Sequence, residues 1–556
     1  MKKKITFLAL LGAVVFSLAA CQLFNYEEGG YSYRPIGSSG AGKMSDVSTP
    51  PAGDLEAIEG GRTYGDYIKN NVYNFSSTPT VGKAKLLVIP VWFNDSGNFI
   101  DQDKKGNVLA DIQTVYFGKN TEVGWRSVKT YYEEESHGKL KIDGSVSSWY
   151  LPNQSYQNYK LDNDHAKTTA LVNSAINWYF DEDNPSDSRA SYDCDKDGYL
   201  DGVMLIYAAP DFDVYGDQNS SGNLWAYCYW VQDPSVKNTV KPGVNAFFWA
   251  SYDFMYGKNK AGTRTGHDKY ANGDTSNNVN VDAHTYVHEM GHMFGLEDYY
   301  DYSDYHFLPA GGFSMQDNNV GGHDPFSVFS LGWGKAYIPT TTMNIDLKPF
   351  TQSGEMIILS PNWDDTINSP FDEYLILEYY TNDGLNYFDS EHAYMEGVKV
   401  YPQGSQDYGI RLWHVDARLL YTSVPNSYSA ARVTNDPKIG GGNRVTMLMS
   451  NTYNDGQVYE DYLSPLSVRD PNEDRYSRYN ILELIRNSTV ISSPTSSNKY
   501  FTSSSLFKAG DTFTMSRYTR QFINTGSKLN NGSSLGFTFT VNALNNGYAS
   551  ITVNKI

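Results

Sequence analysis

The chain is 556 residues long and carries 44 Lys and Arg against 63 Asp and Glu, a formal net charge of −19. That balance argues against a nucleic-acid binder held by phosphate contacts, and the 40% hydrophobic and 15% aromatic content is far from the composition of disorder. The three cysteines, Cys21, Cys194 and Cys228, exclude a disulfide scaffold and a cysteine zinc cluster.

Lys2, Lys3 and Lys4 precede an apolar run from Ile5 to Ala20, long enough for a signal-peptide core and short for a spanning helix. Residues 1–20 are therefore expected to direct export. The following Leu18-Ala19-Ala20-Cys21 resembles a bacterial lipobox, which implies that Cys21 becomes the lipidated first residue; plain cleavage after Ala20 is the alternative. The expected place is then an exported lipoprotein at the cell membrane and surface, facing outward. Residues 21–82 hold Gly29, Gly30, Gly40, Gly42, Pro50 and Pro51, which break any periodicity, and read as a flexible linker or a short pro-segment.

From Lys85 the pattern changes. Leu86 to Phe93 is a continuous apolar run and reads as a buried strand; Ser127 to Tyr132 reads as a short helix, and Ser136 to Gly144 as a turn feeding a second strand. Thr168 to Tyr179 has apolar residues near helical spacing, and Gly202 to Ala208 is another buried strand. Beyond about residue 345 helical signals thin out, while Tyr374–Tyr380, Gly409–Val415, Leu535–Val541 and Ala549–Val553 read as strands between Asn, Gly and Ser turns. The expected class is α+β, with one mixed domain over 83–345 and a β-rich region over 346–556.

The most informative stretch runs from Val287 to Asp298 and contains HExxH followed by xxGxxD. On a helix His288 and His292 are i and i+4, so both imidazoles project from one face and can bind one Zn²⁺. Glu289 is placed to reach the open position where a water would sit and to take its proton. Gly295 lets the backbone leave the helix in a left-handed turn, returning Asp298 as a third ligand. Glu297, Asp301 and a distant Glu are the competing third ligands.

A second metal is suggested by Asp193-Cys194-Asp195-Lys196-Asp197-Gly198-Tyr199-Leu200-Asp201. Carboxylates at positions 1, 3, 5 and 9, glycine at 6 and the Tyr199 carbonyl at 7 follow calcium-loop spacing, although Met204 stands at position 12 where an EF-hand has Glu. Cys194 and Cys228 could pair or remain thiols. His284, His306, His323 and His414 all read as structural rather than catalytic, with His306 and His323 the two to look for near the cleft.

These residues resemble the immune inhibitor A family of secreted bacterial zinc metallopeptidases, a metzincin-related group. The likeness is carried by HEMGHMFGLEDYYD from His288, by Gly311 to Gln316 with His323-Asp324-Pro325 and Leu331-Gly332-Trp333 after it, and by LLVIPVWF, SVKTYYEEESHGKLKIDG, DCDKDGYLDGVMLIY, YLILEYY and GIRLWHVD. It covers about residues 83–420. Glu297 departs from the proline expected before the aspartate, and Ser314 precedes the methionine where the turn varies in the family.

The resemblance implies a metzincin-like peptidase domain with a twisted mixed sheet and an active-site helix, then a sandwich-like β region. It also implies Zn²⁺ on His288, His292 and Asp298, Glu289 as general base, Met315 in a Met turn beneath the histidines, Ca²⁺ at the Asp193 loop, and cleavage of protein or peptide substrates outside the cell. A tyrosine among Tyr299, Tyr300, Tyr302 and Tyr305 would assist. The competing reading is a surface-anchored lipoprotein whose C-terminal region binds a glycan or host protein and whose zinc site is not catalytic.

Overall fold

The computed structural model describes chiefly residues 78–159, 165–210, 226–256, 281–300, 308–363, 370–396, 403–422, 500–518 and 528–556, with short pieces elsewhere. The expected signal peptide and Cys21 lie outside the described residues, as do Asp301, Tyr302, Tyr305 and His306. Strand β1 (Ile58–Glu59) pairs antiparallel with Ala336 and Lys335.

The first half is built on a five-stranded sheet of order β3-β2-β4-β6-β5, comprising β2 (Gly82–Val91), β3 (Leu140–Val146), β4 (Gly202–Tyr207), β5 (Tyr227–Trp230) and β6 (Ala246–Ser251). Four strands are parallel and β5 runs antiparallel to β6 at the edge. The unbroken apolar run of β2 is explained by burial on both faces, the usual reason a central strand lacks alternation. Leu86 and Val88 enter one core, and Leu87, Ile89 and Val91 enter another.

The second core is covered by helix α3 (Ala166–Trp178), which contributes Leu171, Val172, Ala175 and Ile176. The first is covered by α1 (Lys105–Phe117), α2 (Val128–Glu135) and α4 (His284–Met293). Helix α2 starts where the sequence places it because Ser127 and Thr130 form a reciprocal capping box, a device contributing about 1 kcal/mol.

The second half is mainly β, as expected. A six-stranded sheet joins, in order, Ile58–Glu59, Lys335–Tyr337, Glu355–Leu359, Glu373–Tyr380, Gly409–Asp416 and Leu482–Ile485. A four-stranded antiparallel sheet joins Thr512–Phe513, Phe537–Leu544, Ala549–Lys555 and Met343–Leu347. Alternation along Glu373–Tyr380 assigns the faces. Tyr374, Ile376 and Tyr380 pack into the core shared with α4, while Leu375, Leu377 and Tyr379 pack with Phe539, Val541, Ile551 and Val553 of the four-stranded sheet. The six-stranded sheet thus lies between the α4 core and the C-terminal sheet, so the two halves are joined through packed apolar surface.

Candidate metal centre

Helix α4 is buried along almost its whole length, from Thr285 to Met293. Tyr286, Val287, Met290 and Met293 belong to the core, and they carry His288, Glu289 and His292 inside with them. Tyr132 Oη donates to the Val287 carbonyl at 2.6 Å and Tyr286 Oη to the Ser251 carbonyl at 2.7 Å, which fixes the helix between α2 and β6.

The helix ends as the sequence predicts. Gly295 has φ +96°, a conformation in which an L side chain would be strained. Gly295 N donates to His292 O at 2.8 Å and Leu296 N to Gly291 O at 3.2 Å, closing the last turn. The chain then doubles back, so that Asp298 Oδ1 lies 2.9 Å from His288 Nε2 and 3.3 Å from His292 Nε2. His288, His292 and Asp298 bring ligand atoms within 4.8 Å of one another; Glu297 does not join that group.

The donor set fits a zinc ion. His288 Nδ1 lies 2.7 Å from the Met315 carbonyl and His292 Nδ1 2.9 Å from the Leu296 carbonyl. A carbonyl only accepts, so each Nδ1 carries a hydrogen and each ring turns its Nε2, the atom that would bind a metal, toward the centre. His292 Nε2 is buried and oriented so that it makes no hydrogen bond among the described residues. Charge points the same way. Burial disfavours the His292 imidazolium, yet Asp298 outweighs it and pushes the ring up to about 10. Burial likewise opposes ionisation of Asp298, and the two imidazoles still hold its carboxyl well below the usual range. The pocket is built to hold positive charge, which is what a divalent cation supplies.

Glu289 follows His288 and is 1% exposed. Its Oε2 is buried without a hydrogen-bond partner among the described residues, and burial raises its carboxyl to about 7, against the pull of His292 and His288. Met315 is fully buried in the same core. Its visible contribution to the centre is its carbonyl, which orients His288.

Sequence reasoning missed Gln316, Tyr131 and Glu135. Gln316 Oε1 lies 3.2 Å from His323 Nε2, Tyr131 Oη lies 2.8 Å from His323 Nδ1, and His323 N donates to Glu135 Oε1 at 2.5 Å. Burial lowers the His323 imidazole to about 3, so the ring stays neutral. The one trace in the sequence was Gly291, whose missing side chain leaves room for Gln316. Of the tyrosine candidates, Tyr299 is bonded through its hydroxyl to Ser327 Oγ at 2.8 Å. His284 and His414 are held by the Asn319 carbonyl and by Glu373, as structural residues are.

At the second loop Asp193, Asp195 and Asp197 bring oxygens within 4.8 Å of one another. The turn is tight, with Lys196 at φ +61° and Gly198 at φ +92°, and Tyr199 N donates to Asp197 Oδ1 at 2.9 Å. Asp193 Oδ1 is buried with no hydrogen bond among the described residues. Asp201 departs from the expectation. Its Oδ1 accepts from Cys194 N at 2.9 Å and its Oδ2 from Lys85 N at 2.7 Å, so it clasps the loop to β2 and stands outside the acidic group. Cys194 and Cys228 are both free thiols, one exposed and one buried.

Residues 74–307 match the family model described as immune inhibitor A peptidase M6, catalytic domain. The match takes in α4 and Asp298 and ends before Met315. No curated protein matches the chain. The segment 74–307, which holds the buried His-His-Asp group, is thus similar to the catalytic domain of the immune inhibitor A peptidases.

Proposed function

We propose that the chain is an exported, membrane-anchored zinc metalloendopeptidase that cleaves proteins or peptides outside the cell. The observation that carries this is the juxtaposition of Glu289, with a buried oxygen free of hydrogen bonds among the described residues, and two imidazoles whose Nε2 atoms face Asp298. His288, His292 and Asp298 would hold Zn²⁺. When bound, the metal supplies Lewis acidity, which polarises a carbonyl and lowers the pKa of water toward neutrality.

The protein's own residues do the rest. Glu289 Oε2 accepts the proton of the attacking water and returns it to the leaving amine, a role for which a desolvated carboxylate is suited. Met315 O and Leu296 O hold the two rings in register. In this reading residues 83–345 form a metzincin-like catalytic unit and residues 346–556 a sandwich-like region suited to a glycan or host-surface ligand. The N-terminal run and Cys21 tether the chain to the membrane.

The direct test is digestion of an unfolded protein mixture, with cleavage sites read by mass spectrometry. The native chain is expected to cut, to stop on treatment with a strong zinc chelator, and to resume on adding zinc. Cleavage that survives complete metal removal would refute the proposal.

The Asp193 loop supports a second, structural ion, proposed as Ca²⁺ because all its donors are hard oxygens. Calcium at about 100 times its dissociation constant stabilises a folded chain by roughly 2.7 kcal/mol. The melting temperature is therefore expected to rise on adding calcium to the calcium-free chain, and Asp193→Ala to erase that response. An equal calcium response in the variant places the ion elsewhere.

A further inference from the structure

Gln316 meets every part of the centre from behind. Its neighbour Met315 accepts from His288 Nδ1 at 2.7 Å. Its own carbonyl accepts from Tyr299 N at 2.8 Å, one residue past Asp298. Its side-chain Nε2 lies 3.5 Å from His292 Nδ1. That last nitrogen already donates to Leu296, so the carboxamide makes a packing contact with the ring edge there. A two-residue segment therefore supports all three residues proposed to hold the ion.

The fit of the carboxamide is close. A Cβ on Gly291 would lie 2.0 Å from Gln316 Oε1 and 2.6 Å from its Cδ, below any real contact. Gly291 is the residue between the turns that bear His288 and His292, so the amide occupies the place of a side chain on the helix itself. Its orientation is set from the far side. Gln316 Oε1 can only accept, so His323 Nε2 carries the hydrogen, and His323 Nδ1 must then accept from the Tyr131 hydroxyl. Every member of this line, Tyr131, His323 and Gln316, is 0 or 1% exposed. Rotating the amide would require His323 to take its other tautomer and Tyr131 Oη to accept from it while donating to the Gly321 carbonyl, 3.3 Å away, so the three groups are set together.

We propose that Gln316 is a positioning residue for the metal centre, held in one orientation by Tyr131 through His323, and that it sets the angle of His292 and the loop bearing Asp298. The inference rests on the reading that His288, His292 and Asp298 bind zinc. Groups that orient metal-binding side chains typically change affinity by about 10- to 100-fold when removed. A group that served the fold alone would change the melting temperature and leave zinc affinity as it was.

The experiment uses the full chain and zinc alone as probe. Zinc dissociation constants are measured by chelator competition at a temperature well below unfolding, beside the melting temperatures of the metal-free forms. Gln316→Met keeps length and removes the amide. It is expected to raise the zinc dissociation constant about tenfold or more, and to lower kcat with little change in KM. Tyr131→Phe removes a single hydroxyl and is expected to act in the same direction by a smaller factor. If Gln316→Met and Tyr131→Phe keep the parent's zinc affinity and kcat while only melting temperatures fall, the positioning role is overturned. If the parent itself takes up no zinc, or takes it up undiminished after His288→Ala, the reading beneath the inference falls with it.

Discussion

Glu289→Gln is expected to lower kcat roughly a thousandfold, within the range that a positioned general base contributes, and to leave zinc binding nearly unchanged. The two side chains have the same shape, and the position is 1% exposed with its surroundings packed, so the replacement introduces neither cavity nor crowding. What changes is proton affinity. An amide oxygen cannot take a proton from water at neutral pH, so the step assigned to Oε2 is lost. Zinc content measured on the same preparation separates this from metal loss. Turnover near the parent level with zinc bound would show that another group takes the proton, and the other buried carboxylates near the centre would then be substituted in turn.

The sequence carried the centre further than the fold around it. HExxH on an amphipathic, buried helix is a local pattern, and Gly295 announces its own left-handed turn, so His288, His292 and Asp298 could be brought together on paper. The strands were legible for the same reason: a short, unbroken apolar run such as Leu86–Phe93, bounded by turn residues, suits a strand covered on both faces. Three features were not legible. Tyr131, His323 and Gln316 are separated by up to 192 residues and are joined only by tertiary packing. The sharing of the six-stranded sheet between two cores is written in the alternation of Tyr374 to Tyr380, but the partner of each face is not. Asp201 had calcium-loop spacing, yet the parallel pairing of β2 with β4 brings Lys85 N within reach of its carboxylate, and that half-buried backbone donor takes one oxygen. Spacing specifies which residues a loop offers; the neighbouring strand decides which of them are already engaged.

The third ligand is where sequence and structure can be separated most cleanly by experiment. Asp298→Ala is expected to abolish activity and to weaken zinc binding by about a hundredfold or more, because it removes the only anionic member of the set rather than a supporting contact. Glu297→Ala and Asp301→Ala are expected to keep most of both. The asymmetry follows from the turn at Gly295. Asp298 Oδ1 sits between the two Nε2 atoms at 2.9 and 3.3 Å, and its side chain is 2% exposed, so no water can replace its charge. The metal-free forms offer a second readout. In the parent, Asp298 holds a proton on His292 well above the ordinary range for imidazole. Its removal should bring the His292 ring back toward the ordinary imidazole range, visible as a change in the pH dependence of its ring resonances. If zinc is lost from Glu297→Ala and kept by Asp298→Ala, the ligand lies one residue earlier, and the turn at Gly295 must serve to place Glu297 instead.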